Sequence, residues 1–404
     1  MIPRHSLPFS AGKFIRMMFS GPDINISDFE KACADSLGVR EVVALPSVRG
    51  GIHMTVLAGM LPRGNVVGPV YTCDTVHLAL ALSGVHSHLV DTSPDSFLMS
   101  PEAIRKVAGP ECVLLLSEVY GIPYGLKFFE EKSGMQSNLR ILDLAMCIAS
   151  PERMKQLEPK DVALFSFGWG KPMYAGWGGI ACFRDPELAG RVRDIRDRWT
   201  VGESLALSFR RVCRSLFRVT VNQRGVYGLW HQRQLYHLYG ALTHRCNRNA
   251  EKGCAFSSAA VSEQGSRPEW TRPMTPLNRK LALHNMRNAM RDIKLRLNQA
   301  EIYYRLLVEP GIVRGPNIDG LPQSHFPIRV TPEVRDRMCD FLRGKGIDTG
   351  KLFPFPRGLD RSSYPNAAKA ADEVVTLPLG PYITFNEVKI IAECVKDGLR
   401  ALGC

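Results

Sequence analysis

The sequence predicts an α/β protein with a large domain built on a central, mostly parallel sheet, followed by a small C-terminal α/β domain. From about Val42 onward, short β-rich runs alternate with helical stretches, which is the pattern of a doubly wound sheet. After residue 310 the runs FPIRV and VVTLPL alternate with helical stretches again. We therefore assign residues 1–285 to the large domain and 286–404 to a connecting helix and the small domain.

The large-domain elements are taken in chain order. The candidate strands are residues 66–67, 87–90, 113–116, 140–142, 162–166 and 179–183. The clearest helical stretches are residues 51–61, 75–83 and 186–199. Three strands end at a polar residue, Asp91, Asp143 or Ser166. Ligands bind beyond the carboxyl ends of parallel strands, so these residues mark a candidate site.

The C-terminal part begins with a long helical stretch from Arg272 to about Val308, which ends before Pro310. The strand FPIRV, the helix TPEVRDRMCDFLRGKGI, the strand VVTLPL and the helix TFNEVKIIAECVKDGL follow. Before the long helix, the polar stretch CAFSSAAVSEQGSRPEW predicts a mobile loop.

Composition narrows the class of protein. The 404 residues are 45% hydrophobic and 23% charged, which is typical of a globular protein. No apolar run approaches the ~20 residues that span a bilayer, and the N-terminus lacks a signal-peptide pattern. Eleven cysteines occur without a CxxC pair or zinc spacing. We expect an unprocessed cytoplasmic protein with free thiols and no metal site.

Lys171 is the one charged residue in the stretch ALFSFGWGKPMYAGWGGIACF. The stretch is not a phosphate-binding P-loop, because Phe165 replaces the first glycine and Pro172 replaces the Ser or Thr. A dinucleotide fingerprint would need glycine where Met173 stands. Two interpretations stay open for this stretch alone: a surface lysine in a turn, or an amine that forms a Schiff base in an apolar pocket.

Further residues favour the Schiff-base interpretation. Asp143 ends one predicted strand and Ser166 ends the next, while PSVRGGIH places Arg49 and Gly50 where a strand turns into a helix. Backbone amides at such a helix N-terminus suit a phosphate. The set matches pyridoxal phosphate, with Lys171 on the aldehyde, Asp143 on the ring nitrogen, and Ser166 with the helix-end amides on the phosphate.

The order and spacing of these motifs resemble the DegT/DnrJ/EryC1/StrS family of fold-type I sugar aminotransferases. The stretches that carry the resemblance are SVRGGI, PVYTC, VD at Val90 and Asp91, LDLAM, SFGWGK, the Gly178–Gly179 pair, FPIRV, GIDTG and LPLGPYITFNEV. The resemblance implies transfer of an amino group from an amino acid such as glutamate to a keto group of a nucleotide-linked sugar or related metabolite. It also implies a homodimer with shared active sites.

The resemblance assigns a set of site residues. It implies catalytic roles for Lys171 and Asp143, with Lys171 forming the Schiff base and moving the α-proton. The residues that it places at the cofactor are Arg49, Gly50, Cys73, Asp143, Met146, Ser166 and Lys171.

Three positions depart from the family pattern. Cys73 replaces an aromatic residue, so Tyr71 and Trp169 become candidates for stacking on the cofactor ring. Met146 replaces a glutamine, and Arg49 replaces a Thr or Ser. These changes leave open a pyridoxal phosphate enzyme of another type, such as a lyase, a decarboxylase or a carbon–carbon bond former. Lys171 argues against the dehydratase subgroup, which has histidine there, and against a non-catalytic binding protein.

The net charge of +13 is concentrated between Trp199 and Arg272, where 11 Lys and Arg face 4 Asp and Glu, a net of +7. The family pattern lapses in this region, so we predict an insertion at about residues 200–272. SLALSFRRVCRSLFRVTV predicts a basic amphipathic helix. We expect it to border the substrate entrance and attract an anionic keto acceptor.

Two alternatives remain for this basic helix: contact with an anionic membrane surface, or packing on its own domain with solvated arginines. The aromatic stretch YGLWHQRQLYHLYGAL is predicted to belong to the core or a dimer interface. No nucleic-acid-binding motif accompanies the charge, so we expect no nucleic-acid partner.

Overall fold

The computed structural model describes most of the chain. The described residues are 1–5, 7–59, 65–94, 96–109, 112–125, 139–202, 205–232, 271–308, 312–314 and 321–403. The predicted mobile loop at 254–270 lies outside them, as does the aromatic stretch beyond Gln232.

Seven strands form the large sheet. They are β1 (Glu41–Leu45), β2 (Asn65–Pro69), β3 (His86–Val90), β4 (Val113–Ser117), β5 (Leu139–Asp143), β6 (Asp161–Ser166) and β7 (Gly179–Phe183). Their order across the sheet is β1-β7-β6-β5-β4-β2-β3. Strand β7 runs antiparallel to both of its neighbours, and the remaining pairs are parallel. The prediction of a mostly parallel central sheet is confirmed.

The central strands read as continuous apolar runs because helices cover both faces of the sheet. Every residue of β4, β5, β6 and β7 is buried. Successive residues of a strand point to opposite faces, so Leu114 and Leu116 join one core cluster while Val113 and Leu115 join the other. Strand β3 lies at the sheet edge, is only partly buried and is correspondingly polar.

The helices that precede residue 233 pack on the large sheet or on one another. They are α1 (Ala11–Phe19), α2 (Ile26–Leu37), α3 (Val48–Gly59), α4 (Asp74–Leu82), α5 (Pro101–Val107), α6 (Pro151–Lys155), α7 (Pro186–Trp199), α8 (Leu205–Val221) and α9 (Arg224–Gln232). Helix α3 packs closely on β1, because a Cβ on Gly51 would lie 2.4 Å from Leu45 Cδ1. Leu45 at the end of β1 and Ser166 at the end of β6 both pair with Gly179, so the N-terminus of α3 lies at the carboxyl edge of both strands.

Helix α10 (Pro276–Leu306) connects the large sheet to the small one and begins at a capping box formed by Thr275 and Asn278. The small antiparallel sheet has the order β10-β9-β8. Its elements are β8 (Val313–Arg314), β9 (His325–Arg329), α11 (Pro332–Gly344), α12 (Pro365–Glu373), β10 (Val374–Pro378) and α13 (Phe385–Leu402). FPIRV and VVTLPL thus form strands, as predicted, and the structure pairs them antiparallel.

The small sheet has its own core cluster, which includes Ile328, Val375 and Ile391. Helix α10 runs without interruption through residues 285 and 286, so the division at that point stays a prediction. In the described ranges, no helix is both long and apolar enough to cross a membrane.

Candidate active site

A cavity of about 220 Å³ opens at the carboxyl edge of the large sheet. Six of the predicted site residues line it: Arg49, Cys73, Asp143, Met146, Ser166 and Lys171. Gly50 does not line the cavity. Its N–H donates a 3.1 Å hydrogen bond to Ser47 Oγ. A wider cleft of about 750 Å³ lies where β1 and β6 begin and brings none of the predicted residues together. The smaller cavity is therefore the candidate active site.

Asp143 ends β5 at the bottom of this cavity and is held by two donors. The Ala145 N–H lies 3.1 Å from Oδ1, and the Ser117 hydroxyl lies 3.2 Å from Oδ2. Burial raises the pKa of the Asp143 carboxyl, and the nearby Lys171 charge, the Ala145 N–H and the Ser117 hydroxyl oppose that rise. A protonated ring nitrogen would add another favourable cation.

Glu118 follows β4 directly and also lines the cavity, although it belongs to none of the motifs described above. Its carboxylate is buried, forms an ion pair with Arg153, accepts from the Tyr124 N–H at 3.0 Å and lies 3.2 Å from Cys147 Sγ. Burial raises its pKa, while the Arg153 charge lowers it. Both oxygens already have partners within the chain, so Glu118 braces the segment after β5. Its place after an apolar strand is the signal that could have identified it.

Lys171 lies in the tight loop between β6 and β7, and its Nζ lies 3.2 Å from Met146 Sδ. The Ala175 N–H bonds to the Phe167 carbonyl at 3.0 Å and closes the loop. Gly170 has a φ of +74°, a conformation that favours glycine. This backbone holds the lysine side chain at the cavity.

A row of polar groups lies behind Met146. Ser324 Oγ is 3.9 Å from Met146 Sδ and 2.7 Å from His325 Nδ1, and His325 Nε2 is 3.2 Å from His5 Nδ1. Burial lowers the pKa of His325 to about 3, and the charges of Arg296, Arg4 and Lys171 add to the effect. Burial and the same neighbourhood also lower the pKa of His5. Both rings are therefore neutral near pH 7.

One set of residues lining the cavity, which we call the anion-donor wall, carries donors suited to an anion. It contains Ser47 and Arg49 at the start of α3, Ser166 at the end of β6, and Trp177. The Trp177 indole Nε1 is buried and has no hydrogen-bond partner among the residues that the structure describes. A buried N–H of this kind needs an acceptor, and a phosphate oxygen would supply one.

The rings beside the cavity differ from the two that the sequence suggested. Tyr71 is buried under the site, with its hydroxyl 2.5 Å from that of Tyr120, and Trp169 packs edge-on against Tyr174. Neither of them lines the cavity; Trp177 and Phe353 do. The expectation for Tyr71 and Trp169 is not met, because loop packing rather than closeness in sequence decides which ring reaches the wall.

Cys73 precedes α4 and lines the cavity, where Thr75 Oγ1 lies 3.2 Å from its Sγ. Among the described residues, no group of three or more His, Cys, Asp or Glu side chains is placed to hold a metal ion. An amine on a tight loop, a buried carboxylate and a wall of anion donors fit pyridoxal phosphate. This site on this sheet defines a fold-type I pyridoxal phosphate enzyme.

Comparison with known proteins identifies the family. The model of the DegT/DnrJ/EryC1/StrS aminotransferase family matches residues 16–204 and 240–396. The chain therefore belongs to this family and is a pyridoxal-phosphate-dependent aminotransferase. Helices α8 and α9 fall in the unmatched stretch 205–239, which is narrower than the predicted insertion at about 200–272.

Solved structures share the fold over nearly the whole chain. TlmJ from Streptoalloteichus hindustanus is 21% identical, with a TM-score of 0.68 and full coverage of both chains. The sugar aminotransferase CalS13 from Micromonospora echinospora is 17% identical, with a TM-score of 0.67, covering 98% of this chain and 100% of its own. NtdA from Bacillus subtilis is 18% identical, with a TM-score of 0.66, covering 96% of this chain and 82% of its own.

Proposed function

We propose that this aminotransferase moves an amino group from an amino acid such as glutamate to a keto group of a nucleotide-linked sugar or related anionic metabolite. The observation that carries the proposal is the convergence of Lys171, Asp143 and the anion-donor wall on one cavity. CalS13 is described as a sugar aminotransferase, and NtdA was solved with bound pyridoxamine phosphate. The first supports this acceptor class, and the second supports this cofactor.

In this proposal the wall residues hold the cofactor. Lys171 would hold its aldehyde, Asp143 would face its ring nitrogen, and Ser166 with Arg49 and Trp177 would hold its phosphate. When bound, the cofactor withdraws electrons from bonds to the substrate carbon that carries the amino group. An ionised Asp143 carboxylate beside the ring nitrogen would favour the protonated form of that nitrogen.

Lys171 also moves the proton. Its amine acts first as a general base, which takes a proton from the substrate α-carbon. It then acts as a general acid, which donates the proton to a different atom. The thioether of Met146 touches Nζ without offering a charge, so the amine is not tied up in an ion pair with that residue. The row from Ser324 to His5 fixes the Met146 side of the site by hydrogen bonds between neutral groups.

The inner face of α8 supports an anionic acceptor. The Arg211 guanidinium lies 4.9 Å from the centre of the Trp177 ring, and that of Arg218 lies 5.3 Å from the Trp169 ring. Both tryptophans belong to the loop between β6 and β7 that carries Lys171, so both arginines lie beside the site. We propose that they attract the acceptor's phosphate groups.

The assembly and location belong to the same proposal. We propose a homodimer in which each subunit completes its neighbour's site, operating in the cytoplasm. The free cysteines among the described residues accord with a reducing compartment.

The test is spectroscopic and chemical. Glutamate should bleach the visible absorption of the purified holoenzyme, and a nucleotide-linked keto-sugar should restore it. Borohydride reduction followed by peptide mapping should place the pyridoxyl mass on Lys171. Carbon dioxide release from the amino acid, or a pyridoxyl label on another lysine, would contradict the proposal.

A further inference from the structure

Helix α8 has two faces with different chemistry. Its inner face buries Ser215 and Val219 and directs Arg211 and Arg218 onto the tryptophans beside the active site. Its outer face carries three large apolar side chains. Leu205 and Phe209 are one turn apart, and Phe217 follows two turns later. Their exposed fractions are 90% for Leu205, 70% for Phe209 and 40% for Phe217. Exposure of this size on consecutive turns of one helix calls for a partner surface.

A basic row lies beside this apolar stripe. Arg210 and Arg214 are exposed and one turn apart, each adjacent in sequence to an exposed residue of the stripe, Phe209 or Cys213. Residues 205–232 contain five arginines and no Asp or Glu. The apolar stripe therefore lies in a region of purely positive side-chain charge.

The family model does not extend over this helix. The family model matches the chain up to residue 204 and resumes at 240, so α8 belongs to the unmatched stretch. Its inner arginines serve the proposed acceptor, but the outer stripe faces away from the cavity and has no part in that role. The outer face therefore needs a separate explanation.

We propose that the outer face of α8 docks the enzyme on an anionic lipid bilayer. Leu205, Phe209 and Phe217 enter the boundary between headgroups and acyl chains, while Arg210 and Arg214 contact lipid phosphates. The helix lies in the plane of the surface. Seventeen residues that include four arginines do not span a bilayer.

A second copy of this chain is a poorer occupant. A two-fold contact between outer faces would bring Arg210 and Arg214 of both copies together, and residues 205–232 offer no carboxylate to neutralise them. Lipid phosphates supply that negative charge directly. Charge complementarity thus favours the bilayer over a self-contact.

The experiment is co-sedimentation of the holoenzyme with phosphatidylcholine vesicles that contain or lack phosphatidylglycerol. Wild type should bind the anionic vesicles, and added salt should weaken that binding. Changing Arg210→Glu with Arg214→Glu should lower binding about tenfold or more, and so should Leu205→Ser with Phe209→Ser. Arg343→Glu with Arg400→Glu is the charge control, because these exposed arginines lie on other helices. That control should bind like wild type.

A second measurement needs no substitution in α8. Cys213 is exposed within the stripe, so an environment-sensitive dye on its thiol should shift its emission to the blue on anionic vesicles. The Cys213→Ser variant reports any signal from other thiols. The proposal fails if wild type ignores anionic vesicles, if the charge control loses as much binding as the α8 variants, or if the dye does not respond. Conversion of a dimer to a monomer by the Leu205 and Phe209 changes would assign the stripe to a second copy instead.

Discussion

The Lys171 amine and the Asp143 carboxylate share one cavity but rest on different supports. Asp143 is fixed by a backbone N–H and a hydroxyl from the neighbouring strand. The lysine amine touches the uncharged sulfur of Met146, behind which Ser324, His325 and His5 form a neutral polar row. Neither the sulfur nor the polar row therefore adds a charge beside Lys171.

Changing Asp143→Asn should keep the fold and much of the cofactor but lower turnover by on the order of 100-fold. Without the carboxylate, the ring nitrogen loses its proton and becomes a weaker electron sink. Steady-state kinetics with glutamate provide the measurement. Ser117→Ala, which removes a single hydrogen bond to Asp143, should cost far less. Equal rates for Asp143→Asn and wild type would refute the role.

His325 should make the protein less stable in mild acid. Its ring titrates near pH 6.5 in the unfolded chain, whereas the folded pKa is about 3. Between these values the unfolded state binds more protons, so stability falls as pH drops below about 6.5. Asp143 and Glu118, with raised pKa values, change stability in the opposite direction, so a variant must isolate the histidine.

Melting temperatures of wild type and His325→Asn from about pH 7 down to about pH 5 give that comparison. The groups facing the ring are His5, Arg296, Arg4, Lys171 and Ser324, and all remain in the variant. We expect a shallower decline for His325→Asn. If the melting temperatures of both proteins fall in parallel with pH, His325 is not the source of the acid destabilisation.

At the scale of elements, the loop between β6 and β7 depends on glycines with left-handed backbone. Gly178 has a φ of +98°, and a Cβ there would lie 2.3 Å from Met274 Cγ. Because Gly178 lines the cavity beside Trp177, backbone strain at this point would disturb the anion-donor wall.

Gly178→Ala should therefore destabilise the protein by about 1–3 kcal/mol and weaken cofactor binding. The matched control is Gly190→Ala in α7, where a Cβ meets nothing within 4 Å and helix propensity favours alanine. That control should be neutral or slightly stabilising. Thermal denaturation and cofactor titration measure both effects. Equal behaviour of the two variants would remove the steric argument.

The arginines of α8 divide between two faces, which refines the expectation that the basic segment as a whole attracts the acceptor. Changing Arg211→Glu with Arg218→Glu should raise the acceptor KM and flatten its salt dependence, with kcat little changed. Arg210→Glu with Arg214→Glu on the outer face is the comparison and should move the acceptor KM less. If both pairs raise KM equally, the effect follows overall charge and not position.

At the scale of the whole molecule, two sheets with separate cores are joined by α10, and the cavity receives residues from both parts. Phe353, which lies between α11 and α12, lines the same cavity as residues that follow β5 and β6. The ring of Phe353 also packs on Tyr120, which follows β4. The site therefore forms only when both parts of the chain are folded together.

Sedimentation of the active holoenzyme should give a dimer, because the proposed arrangement completes each site from the neighbouring subunit. Dilution below the dimer dissociation constant should lower activity and cofactor affinity together. A fully active monomer would contradict this prediction.

The sequence by itself determined the alternation of strands and helices and the strand-end positions of Asp143 and Ser166, with Lys171 in the following loop. These features are local: strand ends, glycine turns and motif spacing are fixed by neighbours along the chain. Only the tertiary structure decided that Trp177 and Phe353, rather than Tyr71 and Trp169, line the cavity. It also decided that His5 reaches His325, 320 residues away, and that α8 directs two arginines inward and two outward. Such contacts depend on which distant elements pack together, and local periodicity does not specify that packing.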